Sequence, residues 1–171
     1  HAVNRTYCQP FMGDVVEDGM FWLNLSQEEL EDLTIRQLQA GEGVMFSCDC
    51  HPDGDRANGY WDPDCFQYGE VLGGLTFGMT KSERLLTRDS TMNHCMMFCG
   101  VNLDEDGKAN RWKIENSWGK ENGQKGYYIG SEKWFKANVY QITVRKELLS
   151  DAQRKLLEQE PLPMKLWDPL A

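Results

Sequence analysis

Residues 111–119, RWKIENSWG, alternate with period two: Trp112, Ile114, Asn116 and Trp118 fall on one side of an extended chain, and Arg111, Lys113, Glu115 and Ser117 on the other. The preceding run STMNHCMMFCGV, 90–101, is apolar enough for a buried strand, and LDEDGKAN between them holds Asp106-Gly107, a hairpin signal. The pattern therefore predicts an antiparallel pair. Upstream, Ser26 and Glu29 form a capping box ahead of a helix with Leu30, Leu33 and Leu38 on one face and Gly41 at its end. VMFSCDC, 44–50, predicts a short buried strand, and TKSERLL, 80–86, a helical turn or two. Between them, His51–Gly74 is a long loop rich in Gly, Pro, Asp and aromatics, and such loops are often functional. Further on come the strand YYIG, a short helix SEKWFKANV, the strand YQITVRK and a last helix SDAQRKLLEQE opened by Ser150 and Gln153. The proline-rich tail PLPMKLWDPLA cannot stay helical. No repeat or linker interrupts the chain, so one α+β domain over 1–171 is expected, with Leu30, Leu33, Leu38, Phe46, Met96, Phe98, Ile114, Ile129 and Val144 in its core.

One histidine, His94, sits inside that apolar run. Counting outward from Asp106 in antiparallel register sets His94 opposite Trp118 and Asn116 opposite Met96, so all four share a face. A slip of one residue would separate them. An Asn carbonyl that accepts from one imidazole nitrogen fixes the ring and frees the other nitrogen for proton transfer, and a Trp beside the pair excludes water. A lone histidine on an apolar strand is also often a satisfied core residue, and spacing leaves both readings open.

The formal charge of -9 argues against phosphate-backbone binding and favours cationic ligands such as free amino groups. No apolar run approaches the length that spans a bilayer, so neither nucleic acid nor membrane is an expected partner. The six cysteines, Cys8, Cys48, Cys50, Cys65, Cys95 and Cys99, do not have the spacing of a disulfide framework, which points to a reducing, cytoplasmic setting. Cys48-Asp49-Cys50-His51 with Cys65 offers soft ligands but not the paired spacing of structural zinc, so no metal is expected.

ENSWG at 115–119, preceded by a strand containing MNHCM, resembles the His and Asn half of papain-like cysteine peptidases, and more narrowly the bleomycin hydrolase and aminopeptidase C family. GEGVMFSCD at 41–49, FGMTKSERL at 77–85, ENSWGKENGQKGYYIGSEKWF at 115–135 and LLEQEPLPMKLWDP at 156–169 resemble the same family in the same order. The resemblance implies the C-terminal, barrel-like part of a papain-like fold, an antiparallel sheet with flanking helices. It implies a thiol-dependent aminopeptidase in which His94 is the general base, Asn116 orients it, and Trp118 shields their hydrogen bond.

It also implies partners: peptides with a free amino terminus, the Cys-bearing N-terminal portion of the same protein, and a homo-hexamer at full length. No cofactor is implied. The residues 161–171 would form an arm directed to the active site, where the carboxylate of Ala171 would hold the substrate's amino group. Here the arm stops a few residues short of the family's usual ending, which would admit longer peptides. The family's nucleophile lies in a segment resembling Q-x-x-x-x-x-C-W, and no such segment occurs in these residues. Cys95 is adjacent to His94, so its side chain is expected on the opposite face, in a packing role with Cys99. Asn93 and Cys95 depart from the small residues usual around that histidine. The start at His1, without a leader, reads as a cut, and the alternative to an enzyme is a catalytically incompetent half that binds peptides or completes an oligomer.

Overall fold

The computed structural model describes residues 1–9 and 20–170. In chain order the elements are β1 (Arg5–Gln9), β2 (Met20–Asn24), α1 (Gln27–Gln39), β3 (Val44–Cys48), β4 (Gly54–Asp55), β5 (Tyr60–Trp61), α2 (Tyr68–Val71), α3 (Lys81–Leu86), β6 (His94–Leu103), β7 (Ala109–Glu115), β8 (Tyr127–Ser131), α4 (Glu132–Asn138), β9 (Val139–Thr143), α5 (Asp151–Leu156) and β10 (Leu162–Pro163). Seven strands form one sheet in the order β4-β5-β8-β7-β6-β3-β9, and β10-β1-β2 form a smaller one. The large sheet is antiparallel except where β5 runs parallel to β8, and it stays open rather than closing into a barrel.

Local signals place the helices. Ser26, Thr80 and Ser150 each cap a helix and complete a capping box with Glu29, Glu83 and Gln153. On α1 the buried residues are Leu33, Thr34 and Gln37 rather than a leucine stripe. Gln37 is buried because its amide donates to Gly43 O at 2.9 Å and its oxygen accepts from Arg145 N at 2.9 Å, closing the ends of β3 and β9. The last helix stops at Leu156: the Thr6 hydroxyl donates to Leu156 O at 2.9 Å and Arg5 donates to Gln159 at 2.8 Å, drawing the chain onto β1.

Aromatic rings fill more of the core than the expected set, in which Phe46 and Phe98 were the only rings. Trp61, Trp112, Tyr128, Trp134 and Phe135 are fully buried alongside Phe46, Phe98 and Ile114. Ile129 is a correction: Tyr128 and Gly130 take the inward positions of β8, and Ile129 is half-buried on the other face. Gly130 is there because a Cβ at that position would fall 2.8 Å from Trp134 Cε3, so only a bare backbone lets the indole lie on the sheet. Ring contacts run without a break from Trp112 through Phe135, Phe98, Phe46, Trp134 and Trp61 to Trp118, which stacks on His94.

The long loop 51–74 is partly ordered into the β4–β5 hairpin and α2. At its end and just after it, Val71 (82% exposed), Leu72, Leu75, Phe77 (73%) and Met79 leave a run of exposed apolar side chains. No helix is long and apolar enough to cross a membrane among the described residues.

Candidate active site

β6 and β7 present the candidate residues. Met97 pairs with Glu115 and Phe98 with Ile114, so continuing the ladder sets Met96 opposite Asn116 and His94 opposite Trp118. Two bulges lie inside this hairpin: Cys99 is the extra residue on β6 and Asn110 the extra residue on β7. They cancel, and the count from the turn comes out right.

His94 Nε2 lies 2.9 Å from Asn116 Oδ1. The same Oδ1 accepts from Ser117 N at 2.8 Å, which fixes the carboxamide with its oxygen towards the ring. An acceptor oxygen requires Nε2 to carry the proton, leaving Nδ1 as the basic nitrogen of the neutral imidazole. Trp118 stacks on the ring with centroids 5.0 Å apart and planes 21° apart, and the indole is itself met edge-on by Tyr128. Asn116 Nδ2 is buried without a hydrogen-bond partner among the described residues. The loop that follows is closed by Asn122, whose amide donates to Trp118 O at 2.7 Å, and by Asn116 N donating to Gly126 O at 3.1 Å.

His94 is held from the other side by β3, where it pairs with Cys48. Just beyond, the buried Asp49 accepts from Ser90 Oγ and Asn93 Nδ2 at 2.7 Å each, from His51 N at 3.1 Å and from Thr91 N at 3.3 Å. Asn93 Oδ1 accepts from Cys50 N at 3.1 Å. This network fixes the segment that leads into His94, and it gives Asn93 a place that a small residue could not fill.

The thiols are poorly suited to attack. Cys48 shares the His94 face by register but is fully buried, and burial, with Cys50 and Asp49 adding to it, pushes its pKa up. Burial likewise raises Cys50, Cys65 and Cys99. Cys95 points away from His94, with Sγ 3.1 Å from Ser47 Oγ on the outer face. Cys95 does lie on the face opposite His94, but the packing role expected of Cys95 and Cys99 is corrected: both are exposed, because the odd positions of β6 from Cys95 to the bulge at Cys99 face outward. Among the described residues no three His, Cys, Asp or Glu side chains gather as a metal site.

The arm is tied down rather than free. β10 runs parallel to β1, Met164 N donates to Cys8 O at 2.8 Å, Arg88 donates to Trp167 O at 3.1 Å, and His1 Nε2 lies 3.0 Å from Asp168. Leu170 is the last residue of the arm described, so the Ala171 carboxylate lies outside the described residues. Sequence reasoning missed Arg56, whose guanidinium sits 4.8 Å from the Trp118 ring, and Asp49; no local pattern announces either.

The open α+β sheet that presents His94, Asn116 and Trp118 on one face fits the arrangement implied by the papain-like resemblance of the sequence, and comparison with known proteins shows the family. A sequence model of the Peptidase C1-like family matches residues 1–171, and the chain belongs to that family. It is 39% identical over 168 residues to "Aminopeptidase C" of Lactococcus lactis subsp. cremoris, covering 98% of this chain and 38% of that protein. It is 38% identical over 160 residues to "Aminopeptidase G" of Lactobacillus delbrueckii subsp. lactis, covering 92% of this chain and 36% of that one. The solved structure of pepw from Lactobacillus rhamnosis superposes with a TM-score of 0.93 at 35% identity, over 99% of this chain and 39% of that chain. The chain thus spans less than two-fifths of the length of each of these relatives.

Proposed function

We propose that the protein is a cysteine-type aminopeptidase in which these residues supply the general base and its support, while the nucleophilic cysteine comes from a portion of the protein outside them. The observation that carries this is the His94 Nε2 to Asn116 Oδ1 hydrogen bond of 2.9 Å beneath Trp118. Names of the relatives support the peptidase class, and the raised or outward-facing thiols support a nucleophile from elsewhere.

In this mechanism Nδ1 of His94 takes the proton of the thiol, and the thiolate attacks the scissile carbonyl. The imidazolium, steadied by Asn116, gives that proton to the departing amine as the C–N bond breaks. Water then attacks the thioester as Nδ1 takes its proton; the C–S bond breaks, the carboxylic acid leaves, and the imidazolium returns the proton to the sulfur. Asn116 orients the ring and steadies its charged form: a hydrogen bond to a group that becomes charged is worth about 1.5–3 kcal/mol, so Asn116→Ala in the full-length protein should lower kcat by about tenfold to hundredfold. Steady-state hydrolysis of an aminoacyl amide checks it, and unchanged kcat would remove Asn116 from the mechanism.

The arm gives the reading its aminopeptidase half. Anchored on β1 as far as Leu170, it would set a terminal carboxylate as a fixed anion for the substrate's ammonium group. Deleting Leu170 and Ala171 should therefore cut the ratio of aminopeptidase to endopeptidase turnover by about tenfold, the worth of one charge-assisted contact. An unchanged ratio retires the anchor.

A second reading has one observation in its favour. The exposed apolar stretch around Val71 and Phe77 suits a non-catalytic module that binds peptide or completes an oligomer. Such a module would show no turnover for these substitutions to remove.

A further inference from the structure

Arg56 has no carboxylate within 4.0 Å of its nitrogens among the described residues. Its guanidinium carbon lies instead 4.8 Å from the ring centre of Trp118, the indole that stacks on His94. The hairpin that carries it is built to hold it there. Gly54 pairs with Trp61 and Asp55 with Tyr60, leaving Arg56-Ala57-Asn58-Gly59 as the tip. Asp55 closes that tip, accepting from Asn58 N at 3.1 Å and Asn58 Nδ2 at 2.7 Å, while Gly59 N donates to Asp55 O at 2.8 Å.

The tip is then locked against the loop that follows Trp118 and against β8. Gln124 Nε2 donates to Asn58 O at 3.1 Å and Ile129 N donates to Gly59 O at 2.8 Å. Gly59 sits at a φ of +79°, and a Cβ there would fall 2.9 Å from Gly123 Cα, so the two backbones meet as closely as glycine allows. Both sides of the contact are thereby fixed before the side chains meet.

We propose that Arg56 is a positioning residue for the His94–Asn116 pair, acting through Trp118. A guanidinium near the face of an indole is attracted by the ring's negative quadrupole, and its planar fork stacks where an ammonium only approaches. Arg56 so keeps the ring seated on the imidazole, where it excludes water from the 2.9 Å hydrogen bond. Without it, Trp118 is met by Trp61 and Tyr128 edge-on and by His94 alone in stacking, and the ring is free to tilt off the pair. This inference rests on the general-base reading of His94.

The test uses the full-length peptidase with Arg56→Gln and Arg56→Lys, followed by steady-state kinetics and thermal unfolding. Loss of a cation–π contact at an exposed arginine should lower kcat for Arg56→Gln by about twofold to fivefold, with KM unchanged. Arg56→Lys, which retains a cation but not the planar fork, should recover part of that loss, and Tm should move little because the side chain is exposed. Wild-type kcat in Arg56→Gln overturns the proposal. So does a change in KM alone, which would make Arg56 a substrate contact, or a fall in kcat with a large fall in Tm and no rescue by lysine, which would make it a general brace. If His94→Ala retains turnover, the general-base reading falls and this inference with it; if His94→Ala is inactive while Arg56→Gln is wild type, this inference alone falls.

Discussion

His94→Ala in the full-length protein should lower kcat for peptide hydrolysis by about a thousandfold to ten-thousandfold, the upper range for loss of a positioned acid–base group. The loss is large because one nitrogen is used three times, to activate the thiol, to protonate the amine and to activate water. Stability should barely change. The ring is only half-buried at the end of β6, and Asn116 Oδ1 still accepts from Ser117 N when the imidazole is gone. What is lost is the hydrogen bond to Asn116 and one stacking contact on Trp118, together worth about 1–2 kcal/mol, or a few degrees of Tm. Kinetics and calorimetry on the same sample decide the matter: retained turnover with a collapsed Tm would make His94 a core residue and nothing more.

Asp49→Ala should produce the opposite signature, a stability loss first. Asp49 is 3% exposed and takes donors from Ser90, Thr91, Asn93 and His51, while Ser90 also meets Tyr140 OH at 2.7 Å. Removing the carboxylate strands one buried donor, Ser90 Oγ, and three part-buried ones at once, so a cost of about 3 kcal/mol is expected, which lowers Tm by about 6–12 °C. The segment Ser90–Asn93 leads directly into His94, and activity should fall as that segment loosens. Differential scanning calorimetry reads the first effect. A Tm within about a degree of the parent would show that water replaces the carboxylate and that the network does not set the entry to β6.

Part of this architecture is legible in the chain. Capping boxes at Ser26 and Ser150 and the alternation of 111–118 are local rules that hold whatever surrounds them, and each leads to an observed element. Counting from Asp106 found the partners of His94 only because the bulges at Cys99 and Asn110 offset each other; a single bulge would have put Asn116 on the wrong face. The strands β1, β2 and β10 went unread. Their pairing joins the first residues of the chain to nearly the last, and no local pattern carries such a pairing. Ile129 was expected inside on hydrophobicity alone, whereas the inward place went to Tyr128, which stacks on Trp61 with centroids 4.4 Å apart.

The sequence by itself determined the α+β class, the hairpin, and the three residues His94, Asn116 and Trp118 on one face, because period, turn chemistry and caps act over a few residues. The resemblance of its motifs added the family. Only the tertiary structure decided that Arg56 approaches Trp118, that Asp49 gathers the donors ahead of His94, and that Cys48 is buried while Cys95 turns away. Those facts depend on hairpin tips and strand ends brought together across the sheet, where contact is set by packing and close backbone approach rather than by position along the chain.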